Sequence, residues 1–187
     1  MVFVNNLLIN TYSDLELVDM VRDKNDRAAF NEIVGRNKSR IGYTVFGFLG
    51  KSQEAEDIGQ EVFIRFLNNI NNYNGNYSLS NYLVKIAINL SLNELRRRKI
   101  KRLFSFDRMQ EDGIELANSS KVDPINEDKL IIEAALSRLS DKHRAVVVLR
   151  LIDEYSTEET AKLLNIPVGT VLSRLARAQE KLRILLK

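Results

Sequence analysis

Three groups of side chains in this 187-residue chain have the types and spacing to do chemistry. Near the C-terminus, Thr170, Ser173, Arg174 and Arg177 recur at i, i+3, i+4 and i+7, which places two hydroxyls and two guanidinium groups on one face of a helix. Arginine pairs with guanine and hydroxyls reach phosphates or base edges, so this face suits the major groove of duplex DNA. In the first half, Lys85, Asn89, Asn93 and Arg96 fall at i, i+4, i+8 and i+11, just after the loop Tyr73-Asn74-Gly75-Asn76-Tyr77 and Tyr82. Aromatic rings, amides and cations together supply what unstacked bases need: faces to stack on, partners for base edges and counter-charges for phosphates. Asp57, Gln60, Glu61 and Ile64 make the third group, an acidic stripe with an apolar residue. Such a stripe repels DNA and suits docking on a basic protein.

Composition excludes several classes. The chain has no Cys and one His, His143, so thiol nucleophiles, disulfides, Cys-liganded zinc and His pairs are all ruled out. Asp57 and Glu61 could in principle serve a metal-dependent nuclease, but without histidine support they read as docking or solvated-face residues. No cofactor, metal or catalytic group is expected. The longest apolar runs are short, as in Ala145 to Leu149, which stops at Arg150, and no insertion into a membrane is expected. The N-terminus lacks the basic opening of a secretory signal, so the expected location is cytoplasmic.

The elements that must position these groups are helices. Pro and Gly are few, at 2 and 8, and helix formers abound. Ser13 with Glu16 forms a capping box that opens a helix toward Arg22. Further helices are expected over Arg27 to Leu49, with Gly50 as stop, over Glu54 to Asn69, and over Ser80 to Arg102. Periodicity lapses between Phe104 and Asp128 and resumes over Glu127 to Leu139, Ser140 to Asp153, Ser156 to Leu164 and Val168 to Leu186. The expected fold is all-α: a helical domain at 1–103, an acidic linker at 104–127 and a second small helical domain at 128–187.

Charge follows the same division. The net charge is +3, yet residues 85–102 carry seven basic side chains against one acidic, 168–187 carry five against one, and 103–128 carry two against seven. Two basic helices separated by an acidic tether suit two contacts on one nucleic acid, although basic residues also complement helix C-termini. In the second domain, Ser156-Thr157-Glu158-Glu159 is another capping box, Asn165-Ile166-Pro167 a tight turn, and Val171, Leu175, Ala178, Leu182 and Leu185 a buried stripe. This combination predicts a helix-turn-helix.

These residues also carry a resemblance. Glu54 to Phe63, then Tyr82 to Asn89 running into Arg96-Arg97-Arg98, resembles region 2 of bacterial RNA polymerase sigma factors. Leu136 to Leu139, Ser156 to Ala161 and Ile166 to Ala178 resemble region 4. The order and the short intervening segment resemble the extracytoplasmic-function class of the sigma-70 superfamily. The resemblance implies that the chain binds core RNA polymerase, directs it to specific promoters and aids promoter melting without catalysing a reaction. It implies polymerase binding by Asp57, Gln60 and Glu61. It implies contact with the minus-ten element, as melted non-template strand, by Tyr73, Asn74, Gly75, Asn76, Lys85, Asn89, Asn93 and Arg96. The minus-thirty-five duplex falls to Thr170, Ser173, Arg174 and Arg177. The acidic tether would occupy a nucleic-acid channel of the polymerase, and an anti-sigma factor is a possible further partner.

Some positions depart from the family pattern. Tyr82 stands where Trp is usual, Leu172 replaces a commonly basic residue, Thr160 an apolar one, and Asp153-Glu154-Tyr155 a Gly-containing turn. The alternative from residues alone is a stand-alone helix-turn-helix regulator, which would explain the second domain but leave the acidic stripe and the Tyr/Asn loop without a purpose.

Overall fold

The structure, a computed structural model, describes residues 9–108 and 127–186. Among these residues there are eight α-helices and no strand: α1 (Asp14–Lys24), α2 (Arg27–Leu49), α3 (Gln53–Asn68), α4 (Leu79–Arg108), α5 (Glu127–Ser137), α6 (Asp141–Val147), α7 (Thr157–Leu164) and α8 (Val168–Leu185). α4 therefore runs through Arg108, into the segment expected as linker. The acidic stretch between α4 and α5 lies outside the described residues.

Local chemistry accounts for the helix ends. The Ser13 hydroxyl accepts from the Glu16 amide while the Glu16 carboxylate accepts from the Ser13 amide at 2.7 Å, so two orphan donors are satisfied reciprocally. Asn25 in the left-handed region ends α1, and Asp26 accepts from Ala28 and Ala29 to begin α2 one residue later. Gly50, at φ 71°, stops α2, and the Ser52 hydroxyl caps α3. The second capping box is also present: Ser156 and Glu159 start α7, and Asn165 at φ 52° ends it. Pro167 then leads into α8 in extended backbone.

The apolar stripes of α1 to α4 meet in one core, with Leu17, Ile33, Ile41, Val45, Phe48, Val62, Phe66, Leu83 and Ile88 essentially sealed from solvent. The second domain has little core of its own. Leu136, Leu139, Val147 and Ala178 form one cluster, and Val146, Ala161 and Val171 form another. Four more of its apolar residues, Ala145, Val148, Leu149 and Tyr155, are buried in the first domain's core instead. Full burial of a Val or Leu side chain stabilises by roughly 1.5–3 kcal/mol. α6 thus faces α8 on one side and α2 on the other.

Two details of sequence permit this sandwich. Val148 to Ile152 form a π-turn, closed by the Asp153 amide donating to the Val148 carbonyl at 2.8 Å. The wider turn prolongs α6 across the surface of α2. On α2 the facing residue is Gly47, where an added Cβ would lie 2.8 Å from a Val148 methyl, too close without displacement of a stiff β-branched side chain. A glycine inside a helix costs about 1 kcal/mol in propensity; here it allows the two helices to approach.

Candidate nucleic-acid interface

The loop leading into α4 folds around an aromatic cluster. The rings of Tyr73 and Tyr82 sit edge to face at 5.3 Å, and each makes a similar contact with Phe66. The Tyr73 hydroxyl donates to the Tyr77 carbonyl at 2.8 Å, and Arg22 donates to the Tyr73 carbonyl at 2.8 Å. Gly75 turns the chain at φ 77°, where an added Cβ would meet Leu15 at 2.9 Å. Next to it, the Asn74 side chain accepts from the Asn76 amide, an Asx turn that leaves both residues exposed.

This geometry gives Tyr73 and Tyr77 different settings. Tyr73 is only 6% exposed and its hydroxyl is committed, so it positions the loop, and it also borders the cleft below. Tyr77, absent from the expected contact set, holds the exposed position at 61%. Tyr82 is half-buried against the cluster, which suits a residue that closes the core with one edge and borders the surface with the other.

Below the loop, Tyr77, Asn81, Tyr82, Lys85 and Asn89 line a cleft of about 540 Å³. Lys85 and Asn89 are exposed on α4, and Asn93 and Arg96 continue the same face beyond the cleft, joined by an Arg96-to-Asn93 hydrogen bond of 2.9 Å. The three consecutive arginines that follow have different tasks. Arg97 and Arg98 both donate to Glu94, a mostly buried carboxylate held below the usual carboxylate range chiefly by the Arg97 hydrogen bond, against the opposing effect of burial. Arg98 also donates to the Leu49 carbonyl at the end of α2. Of the basic cluster, Arg96 faces outward, where a nucleic-acid strand could follow α4, while Arg98 holds α4 to α2.

α8 presents Ser173 and Arg177 fully outward, with Thr170 and Arg174 half-exposed beside them. The Ser173 hydroxyl donates to the Thr170 carbonyl at 3.1 Å, so its lone pairs remain for a ligand. His143, on α6, is held below its ordinary value first by burial and then by the charges of Arg177, Lys181 and Arg174. The arginine face therefore forms a positive surface shared with α6, and His143 is part of its support. The hydroxyl of Thr160, under this pair of helices, is sealed from solvent and finds no hydrogen-bond partner among the described residues.

The acidic stripe on α3 is exposed as expected. Asp57 accepts from Gln53, Gln60 lies on the surface side, and Glu61 is paired with Arg65 at 2.8 Å. Ile64 and Leu67 extend it with apolar surface, at 52% and 36% exposure. Alongside runs a groove between α2 and α3, lined by Gly59, Gln60, Phe63 and Tyr43. Tyr43 is 67% exposed, and motif reasoning does not single it out. A signal for it is present in the sequence: it lies off the Ile41, Val45, Phe48 stripe that α2 buries.

Comparison with known proteins decides the assignment. Residues 33–100 match the family model Sigma-70 region 2, and residues 129–182 match Sigma-70, region 4. The chain is 36% identical to the ECF RNA polymerase sigma factor SigW of Bacillus subtilis (strain 168), over 86% of this chain and 90% of SigW. It belongs to the ECF class of RNA polymerase sigma factors. It is also 28% identical to the ECF RNA polymerase sigma-E factor of Escherichia coli (strain K12), over 90% and 91% of the two chains. Among solved structures, CnrH in complex with the cytosolic domain of CnrY has the same fold, with a TM-score of 0.68, 21% identity, and coverage of 92% of this chain and 96% of that one. No helix among the described residues is long and apolar enough to cross a membrane. Sigma factors are initiation factors for transcription.

Proposed function

We propose that this sigma factor mounts on core RNA polymerase through the outer face of α3, captures the melted non-template strand of a minus-ten element along the Tyr77 loop and α4, and reads a minus-thirty-five duplex with α8. The observation that carries this reading is the contrast between the two basic surfaces. One is a cleft with an exposed ring, amides and a lysine, shaped for separated bases; the other is a convex helix face, shaped for a duplex groove. On α3, Asp57, Gln60 and Glu61 supply acidic and amide contacts to a basic partner, and Ile64 the apolar centre.

The mechanism needs no catalysis by the chain, and its relatives are likewise named as sigma factors. Tyr77 stacks on an unpaired base while Asn74, Asn76 and Asn89 engage base edges and Lys85 and Arg96 hold phosphates. Stacking stabilises a captured base by about 1–3 kcal/mol, comparable to the cost of unpairing it. α8 inserts Arg174 and Arg177 into a major groove, with Thr170 and Ser173 on the flanking backbone. Each contact is weak alone; held together on polymerase, the second becomes intramolecular and gains effective concentration. The site of action is the cytoplasm, where the polymerase works. An anti-sigma factor is the expected antagonist, as the Bartonella quintana RpoE of the same fold was solved with the anti-sigma factor NepR.

Copurification with core polymerase, followed by transcription in vitro, tests this reading. The chain should bind core polymerase and give promoter-dependent transcripts, and Asp57→Ala with Glu61→Ala should reduce binding without changing the fold. A folded chain that neither binds polymerase nor supports initiation, while binding duplex tightly as a dimer, would favour the stand-alone regulator.

A further inference from the structure

The outward side of α8 carries a row that its arginines do not account for. Val168, Leu172 and Ala176 recur at i, i+4 and i+8 and are all exposed, beside a second exposed row of Gly169, Ser173 and Arg177. Leu172 is 54% exposed and Val168 40%, and neither joins the apolar clusters beneath the helix, which take Val171, Leu175 and Ala178 instead. A single exposed leucine is ordinary surface. Here two branched apolar side chains stand one turn apart on a helix whose cations attract a polyanion. Arg174 and Arg177 form no ion pair among the described residues, so their charge is available to DNA. The space outside Gly169 is open, with nothing within 4 Å of where its Cβ would lie, so the helix surface between Leu172 and Ser173 is unobstructed on that side.

We infer, building on the duplex reading by α8 proposed above, that Leu172 with Val168 determines specificity by reading thymine through its methyl group. In a major groove the edges of guanine, cytosine and adenine present only donors and acceptors, whereas thymine adds a C5 methyl, the one apolar group on the groove floor. Leucine can satisfy no donor or acceptor. Over a thymine methyl it buries apolar surface on both partners. Over any other base it loses that burial and seals a polar edge from water unpaired, which is costly. The Ser173 hydroxyl beside it has its proton committed to the Thr170 carbonyl, so the neighbouring polar row does not undo this preference by donating to a base. Recognition by α8 thus has two separable parts: arginine contacts that depend on hydrogen bonds and salt, and a leucine contact that depends on a methyl group.

Deoxyuridine tests this, because it removes the methyl and changes nothing else. The holoenzyme, reconstituted with core polymerase, first selects its preferred upstream duplex from a promoter library randomised over the minus-thirty-five element. Each thymine of the selected duplex is then replaced singly by deoxyuridine, and holoenzyme affinity is measured. At one or two thymines the replacement should weaken binding about fourfold, the scale of burying one methyl group. Leu172→Ala should bind the thymine and deoxyuridine forms equally at those positions. Leu172→Lys should also lose the methyl preference, and its affinity should fall more steeply with salt, by about one further ion per complex. Both variants replace an exposed residue outside the apolar clusters and should retain the helicity of the natural chain. Deoxyuridine without effect at every selected thymine, or an effect of equal size in the natural chain and in Leu172→Ala combined with Val168→Ala, would overturn the inference. Failure of the duplex reading itself looks different: the library would then yield no preferred upstream sequence, and Arg174→Ala would not alter the outcome of selection.

Discussion

The two candidate DNA surfaces are built in opposite ways. The duplex-reading face is one stretch of one helix: Thr170, Ser173, Arg174 and Arg177 share a side of α8, supported by the Val171 and Ala178 stripe beneath. The strand-binding cleft is assembled from a loop, a helix and, in the docked arrangement, a helix of the other domain. Its loop keeps its shape through the Tyr73 and Arg22 hydrogen bonds and the turn at Gly75. A continuous helix face is thus self-sufficient, whereas a cleft depends on the residues that shape its loop. Substitutions beside α8 should act on recognition alone, and substitutions around the cleft should act through structure and docking as well.

The largest effect that would break this contrast is at Arg144. Its guanidinium donates to the carbonyls of Leu136 and Ser137 at the end of α5, to Leu139 in the turn that follows, and to Phe48 across the domain seam. Arg144→Ala leaves several of these buried acceptors unsatisfied and should cost about 3 kcal/mol or more. Hydrogen exchange should show lost protection around α5 and α6 first, with α1 to α4 retained.

Nearly as large is the pH response of the seam. Burial pushes the Asp153 carboxyl from 3.8 up to about 6, opposed by the Thr44 hydrogen bond and the charge of Arg40. The Thr44 hydroxyl donates to the Asp153 carboxyl at 2.7 Å, but burial outweighs this bond and favours the neutral acid in the docked arrangement. Docking therefore takes up a proton. Its stability is fully present below about pH 4 and is lost as pH rises to about 6, by about 3 kcal/mol in all. Energy transfer between dyes on Asn68→Cys and Gln179→Cys should fall over that window, and Asp153→Asn should flatten the change.

The third prediction separates the two tyrosines of the loop. Tyr77→Ala should weaken strand capture by about 1–3 kcal/mol with no change in melting temperature. Tyr73→Phe should lower stability by about 1 kcal/mol, because the Tyr77 carbonyl loses its donor. The smallest is at Thr160, whose buried hydroxyl is unpartnered among the described residues: Thr160→Val should raise stability by about 1 kcal/mol in thermal unfolding.

The helices were legible because their ends are chemical. Two capping boxes, Gly50 and the Asn165 turn appear in the structure where the sequence predicts them, and the α8 face follows from periodicity alone. The cleft was less legible. Tyr73 and Tyr77 are alike in type and neighbours in a loop, and only tertiary packing decides that one is inside and the other outside. The roles of Arg96, Arg97 and Arg98 could not be separated without knowing that Glu94 is buried. The docking of the domains left only faint marks: a glycine within α2, and Asp153-Glu154-Tyr155 in place of a Gly-containing turn. Glu154 indeed stands at φ 58°, a conformation glycine adopts at no steric cost.

The most direct test of the account is transcription by the reconstituted holoenzyme from one promoter in two forms, fully duplex and premelted over the minus-ten element. Tyr77→Ala should be defective on the duplex form and substantially restored on the premelted one, whereas Arg174→Ala, expected to lose about 1–3 kcal/mol of upstream recognition, should be equally defective on both. Restoration of Arg174→Ala by premelting, or no difference between the two variants, would contradict the assignment of strand capture to the first domain and duplex reading to the second.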